Sequence, residues 1–341
     1  MAEQNIAALL PAPSTPLEVT AVPTPTPSMG EVLIKNHCIA IQPLDAKILH
    51  AGYTGAGNLE AFPAVLGTSL AGIVEAVGEG VEGFKVGDRV VADTGAYSGI
   101  PQKNLRQGCW QKYVIAGAKS VAKIGDTPFE QAVLVDFPLQ TAVAALHNFL
   151  GMGKPGTGFA DEKVLIWGAG GAVGSYAVQY SKSVGHTVIV TASARDTDRQ
   201  KSLGASTVLD YKSPDVVEQL RAYAPFKYLF TGSGDPASQK ALAALLQPAG
   251  GSFASVLGGD VELPENVTRV YLPFSQVSQK EEHAAFRDWW YGEYLPKVLT
   301  EKLVQPVKFE KRDGGLGALW DATKEVFEGK IKGKVVLNPQ E

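Results

Sequence analysis

Lys163–Ser193 reads KVLIWGAGGAVGSYAVQYSKSVGHTVIVTAS, and its interpretation decides the fold. Five mostly apolar residues end in a cluster of glycines, a stretch with helical spacing of Val173, Tyr176, Ala177, Tyr180 and Val184 follows, and a second apolar run, TVIVTA, closes the segment. Strand, glycine turn, helix and strand within about 30 residues form a βαβ unit, whose parallel strands need a crossover of this kind. The glycines do not follow the strict G-x-G-x-x-G spacing from Gly168, because Val173 stands where the third would fall; Gly168, Gly171 and Gly174 follow G-x-x-G-x-x-G instead. That spacing still permits a tight turn, close approach of a ligand to the backbone and close helix packing. The first-turn amides of such a helix point outward and carry the positive end of its dipole, which suits a pyrophosphate. A turn that binds nothing is the alternative, and the surrounding βαβ context weighs against it.

Outward from this unit the pattern continues on its C-terminal side. STVLDY, KYLFTGS and GSFASVLG are further strand-like runs separated by helical stretches, which predicts a parallel, doubly wound sheet. On the N-terminal side lie AALLPAP, LEVTAVP, EVLIKNHCIAI, AGIVEAVGEGV, DRVVAD and QKYVIAGAKSVAKI, punctuated by Pro and Gly, an all-β module in which LEVTAV is an edge strand. An aromatic helix HAAFRDWWYGEYLPKVLTE, a strand VQPVKFEK, a helix LGALWDATKEVFEGK and a strand KGKVVLNP end the chain. The fold class is α/β: a β-rich domain and a doubly wound parallel-sheet domain.

The 341 residues are 45% hydrophobic and 19% charged, with a formal charge of −4, and supply no basic stripe for nucleic acid. The expected partner is a small molecule. Cys38 and Cys109 are too few for a disulfide scaffold, no basic-then-apolar leader opens the chain, and the apolar run QAVLVDFPLQTAVAALHNFLGMG is broken by Asp136, Gln140 and His147. These features point to the cytoplasm, with no membrane.

The second strand of the βαβ unit ends Thr191-Ala192-Ser193 with Arg195 following, where a site for NAD usually carries an acid for the ribose hydroxyls. A hydroxyl and a guanidinium suit a 2′-phosphate, and Tyr211 closes the third strand near the adenine side, so the expected cofactor is NADPH. Arg195 as a solvated charge beside Asp196 and Asp198 is the other reading.

With these residues in view, the chain resembles the zinc-free medium-chain dehydrogenase/reductases, close to quinone oxidoreductases and fungal trans-acting enoyl reductases. GEVLIKNHCIAIQPLDAKI, FPAVLGTSLAGIVEAVGEGVEGFKVGDRV, the glycine turn, SLGASTVLDYK and FEGKIKGKVVL carry the resemblance. It implies a GroES-like catalytic domain over 1–127 completed by the C-terminal 298–341, a Rossmann domain inserted over 128–297, and nicotinamide between the two. Zinc members carry Cys where Gln42 stands and His-Glu where Thr68-Ser69 stand, with a third ligand near Phe137, so no metal is expected.

By the same resemblance Tyr53, eight residues after Asp45, is placed to donate a proton, or it is an aromatic on the loop HAGYTGAGNLEAFP. Lys47 and Thr141 reach the nicotinamide ribose and the carboxamide or substrate carbonyl, or they are a surface lysine and a hydroxyl satisfied by its own helix. Pro43 and Leu44 shape the same wall. The cofactor set is Pro43, Leu44, Lys47, Gly168, Gly170, Gly171, Ala172, Val173, Ser193, Arg195, Tyr211, Leu257 and Gly258. Phe137, Phe274 and Trp290 are the substrate candidates, although half of the aromatics Trp289, Trp290, Tyr291 and Tyr294 are expected in the core. The implied activity is hydride transfer from NADPH to an activated C=C bond of an enoyl or enone substrate, free or carrier-bound. Reduction of a quinone or carbonyl, and an NADPH-binding scaffold with little turnover, are the alternatives; the chain is a monomer or a homodimer.

Overall fold

The computed structural model describes residues 4–53, 59, 61–97 and 103–341. Most of the loop between Tyr53 and Glu60 therefore lies outside the described residues. The chain forms two compact units, Met1–Phe137 with Gln276–Glu341, and Pro138–Ser275.

The second unit is the parallel sheet. Its strands run in the order Thr207–Asp210, Thr187–Ala192, Lys163–Trp167, Tyr228–Thr231, Gly251–Ser255 and Val267–Val270, every neighbouring pair parallel. The sixth strand, Val267–Val270, was not foreseen: its sequence VTRV is short and only partly apolar. Strand order reverses on either side of Lys163–Trp167, and in open parallel sheets ligands bind beyond the carboxyl ends of the strands at that switch. Leu165, Ile189, Leu229 and Phe253 from four adjacent strands pack into the core of this unit.

The first unit is built on antiparallel strands. Glu31–Ala40 is its longest, flanked by Ser69–Val77 on one side and by Lys334–Leu337 and Tyr113–Gly117 along the other, and a three-stranded sheet places Glu18–Val22 at its edge, as expected from LEVTAV. Ile34, Val74, Leu70, Trp110 and Val335 are among the side chains of its core. The segment expected to close the Rossmann domain, up to residue 297, groups with this unit from Gln276 onward. Residues 128–137, also expected in that domain, group with this unit too, and hydrogen bonds join the two segments to it. The Trp290 indole donates to Asp136 Oδ1 at 2.9 Å, the Tyr291 hydroxyl to Asp136 Oδ2 at 3.3 Å and Gln279 Nε2 to the Asp93 carbonyl at 2.8 Å. Among the described residues no helix is long and apolar enough to cross a membrane.

Candidate active site

In the glycine turn each glycine has a different reason to be there. Gly168 has φ of +79°, and a Cβ on it would come within 3.0 Å of the Ser233 amide nitrogen on the neighbouring loop. A Cβ on Gly174 would meet the Gly168 carbonyl oxygen at 2.3 Å, so only glycine lets the helix Ala172–Val184 seat on the turn. Gly170 and Gly171 face open space, with nothing nearer than 3.5 and 3.8 Å to an added Cβ. The helix begins at Gly171 with no side-chain cap, which leaves the amides of Ala172, Val173 and Gly174 without intrahelical acceptors. Thr191 holds the turn in place, its hydroxyl accepting from the Gly168 amide at 3.1 Å and its carbonyl from Ala169 at 2.9 Å. The result is an open, positively polarised cradle, the shape and chemistry that a pyrophosphate requires.

The next strand end carries the selectivity candidates. Register pairs Ala192 with Asp210, so Ser193 and Tyr211 leave adjacent strands side by side. Arg195 is exposed and forms no ion pair among the described residues; Asp196 beside it takes Gln200 Nε2 at 2.6 Å and lies 3.9 Å from Arg199. Tyr211 is 46% exposed, with the Lys212 ammonium 5.8 Å from its ring centre.

Leu257 and Gly258 do not offer free carbonyls. Buried Gln239 donates to the carbonyls of Gly234 at 2.7 Å, Gly258 at 2.9 Å and Leu257 at 3.3 Å, and Arg269 fixes its oxygen at 2.6 Å. Sequence reading missed Gln239 and Arg269, since a glutamine inside a helix and an arginine in a weak strand form no motif. Thr141 is buried in this unit, and Phe274 is buried against Phe149, ring centres 5.6 Å apart.

In the first unit the helix Pro43–Ala51 presents exposed Pro43 and half-buried Leu44 and Lys47, and ends at Gly52 in the left-handed conformation. The half-buried Tyr53 follows, its amide donating to the Lys47 carbonyl at 3.2 Å, which brings these two candidates to one helix end. Phe137 is 8% exposed; Trp290 is fully buried, its indole spent on Asp136.

Beneath Pro43 lies a buried polar network. The Gln42 amide donates to Asp45 Oδ2 at 2.8 Å, the Tyr97 hydroxyl to Asp45 Oδ1 at 2.6 Å, Gln42 Nε2 to the Ser69 hydroxyl at 3.0 Å and the Lys334 ammonium to Gln42 Oε1. Burial raises Asp45 to about 6, opposed by its bonds from Tyr97 and Gln42, and lowers Lys334 to about 8, opposed by the charge of Asp45. A carboxyl raised from 3.8 favours folding fully below pH 3.8 and loses that contribution as pH rises through 6. The stability of the wild type relative to Asp45→Asn should therefore fall by about 2 kcal/mol between pH 4 and 7, measured by denaturant melts; a flat difference would show that Asp45 titrates normally.

Comparison with known proteins identifies the scaffold. The family model described as alcohol dehydrogenase GroES-like domain matches residues 28–126, and the one described as zinc-binding dehydrogenase matches residues 172–300. A trans-enoyl reductase of Aspergillus flavipes is 30% identical, with 99% of each chain covered. The chain belongs to the medium-chain dehydrogenase/reductase superfamily. A trans-enoyl reductase of Aspergillus terreus is 34% identical over 78% of this chain and 88% of its own. Among solved structures, an alcohol dehydrogenase superfamily protein of Novosphingobium aromaticivorans superposes with a TM-score of 0.81 at 25% identity, covering 98% and 99% of the two chains. A mycobacterial quinone oxidoreductase gives 0.75 at 24% identity, covering 98% and 100%. The protein is thus an oxidoreductase of this superfamily.

The name of the second family model implies zinc, and this medium-chain dehydrogenase/reductase offers a donor set that does not fit it. Gln42, Thr68 and Ser69 supply an amide and two hydroxyls, and an ammonium, which repels a cation, sits on the Gln42 oxygen. Among the described residues no group of three or more His, Cys, Asp or Glu side chains is gathered for a metal. The two buried thiols are held above the usual thiol range, Cys38 and Cys109 both by burial, and make poor thiolates.

Proposed function

We propose that this protein is an NADPH-dependent reductase of activated C=C bonds, of the enoyl or enone type, that works without zinc. The observation that carries the reading is the open phosphate cradle at Gly170–Gly171; in the other unit the Lys334 ammonium sits on Gln42, where zinc members carry a ligand. Relatives named as trans-enoyl reductases, 30% and 34% identical, favour the alkene over the quinone. A mycobacterial neighbour of the same fold has been solved with NADPH.

Bound NADPH supplies a hydride for the β-carbon of the substrate. The amides of Ala172 and Val173 hold its pyrophosphate, Ser193, Arg195 and Tyr211 its adenosine phosphate, and the loop of Leu257 and Gly258, fixed by Gln239, lies beyond the neighbouring strands. Lys47 and Thr141 orient the nicotinamide end. Tyr53 delivers a proton from its phenol to the enolate. Reduction of a conjugated alkene needs no Lewis acid if hydrogen bonds take the developing oxyanion.

NADPH consumption, followed by absorbance with enones, enoyl thioesters, quinones and aldehydes, tests the reading. Turnover of enones and enoyl thioesters alone is expected; turnover of quinones alone would overturn it, and tight NADPH binding with no turnover would leave a scaffold. Tyr53→Phe should lower kcat about a hundredfold while the Kd for NADPH stays within threefold. An unchanged kcat removes Tyr53 from the reaction.

A further inference from the structure

Lys334 is buried at 7% exposure and carries three N–H donors, yet Gln42 Oε1 is the only hydrogen-bond acceptor it reaches among the described residues. An ammonium is strongly hydrated, and leaving two of its donors without acceptors in the interior is costly. Its neighbours repeat the pattern. Ser69 accepts from Gln42, and antiparallel register places Asp93 opposite Ser69. The Thr94 amide donates to the Thr68 carbonyl at 2.9 Å, which holds the two threonines together. Thr68 Oγ1, Thr94 Oγ1 and Asp93 Oδ1 are buried, at 2%, 3% and 2% residue exposure, with no well-formed hydrogen bond. Burial and the charge of Asp136 push the Asp93 carboxyl well above the usual carboxylate range, and the Thr68 hydroxyl beside it opposes that shift.

Three strand ends therefore carry an ammonium with two unused donors and two buried hydroxyls without a well-formed hydrogen bond. What the ammonium lacks is a second acceptor oxygen. We propose that the Lys334 ammonium and the Thr68 hydroxyl receive the carbonyl oxygen of the reducible substrate, supplying through the protein the charge that zinc supplies in other members. The inference rests on the function proposed above. The β-carbon of the enone gains a hydride and its π pair moves to the oxygen as an enolate; NADPH is oxidised to NADP⁺, and the α-carbon then takes a proton as the carbonyl re-forms. Lys334 keeps its proton throughout and stabilises the oxyanion by charge and hydrogen bond.

Both groups cost the free protein stability, which separates this role from a structural one. Lys334→Met replaces a poorly satisfied buried ammonium by an apolar side chain of similar length, and Thr68→Val replaces an orphaned hydroxyl by a methyl. Melting temperature should hold or rise in Thr68→Val, and the Kd for NADPH by calorimetry should stay within threefold in both variants. With an enone, kcat should fall about a hundredfold in Lys334→Met and about tenfold in Thr68→Val. Enone turnover within threefold of wild type in Lys334→Met overturns the assignment, as does a melting temperature that falls in step with rate in both variants. If Lys334→Met does not fold, Thr68→Val decides alone: turnover within twofold of wild type overturns the proposal. Absence of NADPH-driven enone turnover in the wild type is a separate failure, that of the reading on which the proposal rests.

Discussion

Gly174→Ala should destabilise the protein and weaken NADPH binding by about a hundredfold or more. The added Cβ would lie 2.3 Å from the Gly168 carbonyl oxygen and 2.8 Å from Ala169 Cα, both backbone atoms, so no flexible side chain can give way. The helix Ala172–Val184 has to lift off the turn, and the amides that form the anion cradle move with it. Overpacking of this kind costs about 1–3 kcal/mol, and a misplacement of roughly 1 Å in a positioning group about a hundredfold. Gly171→Ala separates folding from binding. Its Cβ would meet nothing within 3.8 Å, so melting should shift little, yet the methyl projects into the open space where the pyrophosphate is expected. Calorimetry with NADPH and thermal melts of both variants check this. Wild-type affinity in Gly171→Ala would show that the ligand docks elsewhere.

The contrast between these two glycines also marks what can be read from sequence. Strand, turn and helix at Lys163–Val184 are local, so periodicity and glycine spacing reveal them, and the parallel order follows from repeated βα units. The distinct duties of Gly168, Gly171 and Gly174 depend on Ser233 and on the helix seat, and only the fold shows them. The sequence sets Lys332 and Lys334 together as lysines that could reach the cofactor or merely solvate the surface, and the burial of Lys334 escapes it for a similar reason. Gln42 and Lys334 stand 292 positions apart, and nothing in KGKVV distinguishes a buried ammonium from the exposed Lys332 two residues earlier. The aromatic helix misled in the opposite direction, because spacing describes a face and does not say what covers it: Trp290 is held in the interior by Asp136, itself within an apolar run. The same bond joins two segments, around Asp136 and Trp290, that both belong to the first unit and not to the sheet domain expected over 128–297.

Replacing Ser193 and Arg195 together by Ala should raise the KM for NADPH about a hundredfold and leave that for NADH within threefold. Hydrogen bonds to a charged group contribute about 1.5–3 kcal/mol each, so losing two removes at least about 3 kcal/mol, or two orders of magnitude in affinity. Arg195 is free to take this role because it is exposed and unpaired among the described residues, while its neighbour Asp196 is engaged with Gln200 and Arg199. Asp196 is also the strongest challenge to the assignment, since its Oδ2 lies 3.5 Å from where a Cβ on Gly170 would stand, close enough to the cradle to contact a ribose. If it bound ribose hydroxyls, NADH would be the better ligand, and Asp196→Ala would raise the KM for NADH far more than that for NADPH. If instead its partners keep it neutralised and turned toward its own helix, Asp196→Ala should remove repulsion from the phosphates and leave the preference for NADPH unchanged or stronger. The two substitutions thus push the ratio of the two KM values in opposite directions, and equal effects of Ser193→Ala/Arg195→Ala on both cofactors would eliminate the phosphate site at this strand end.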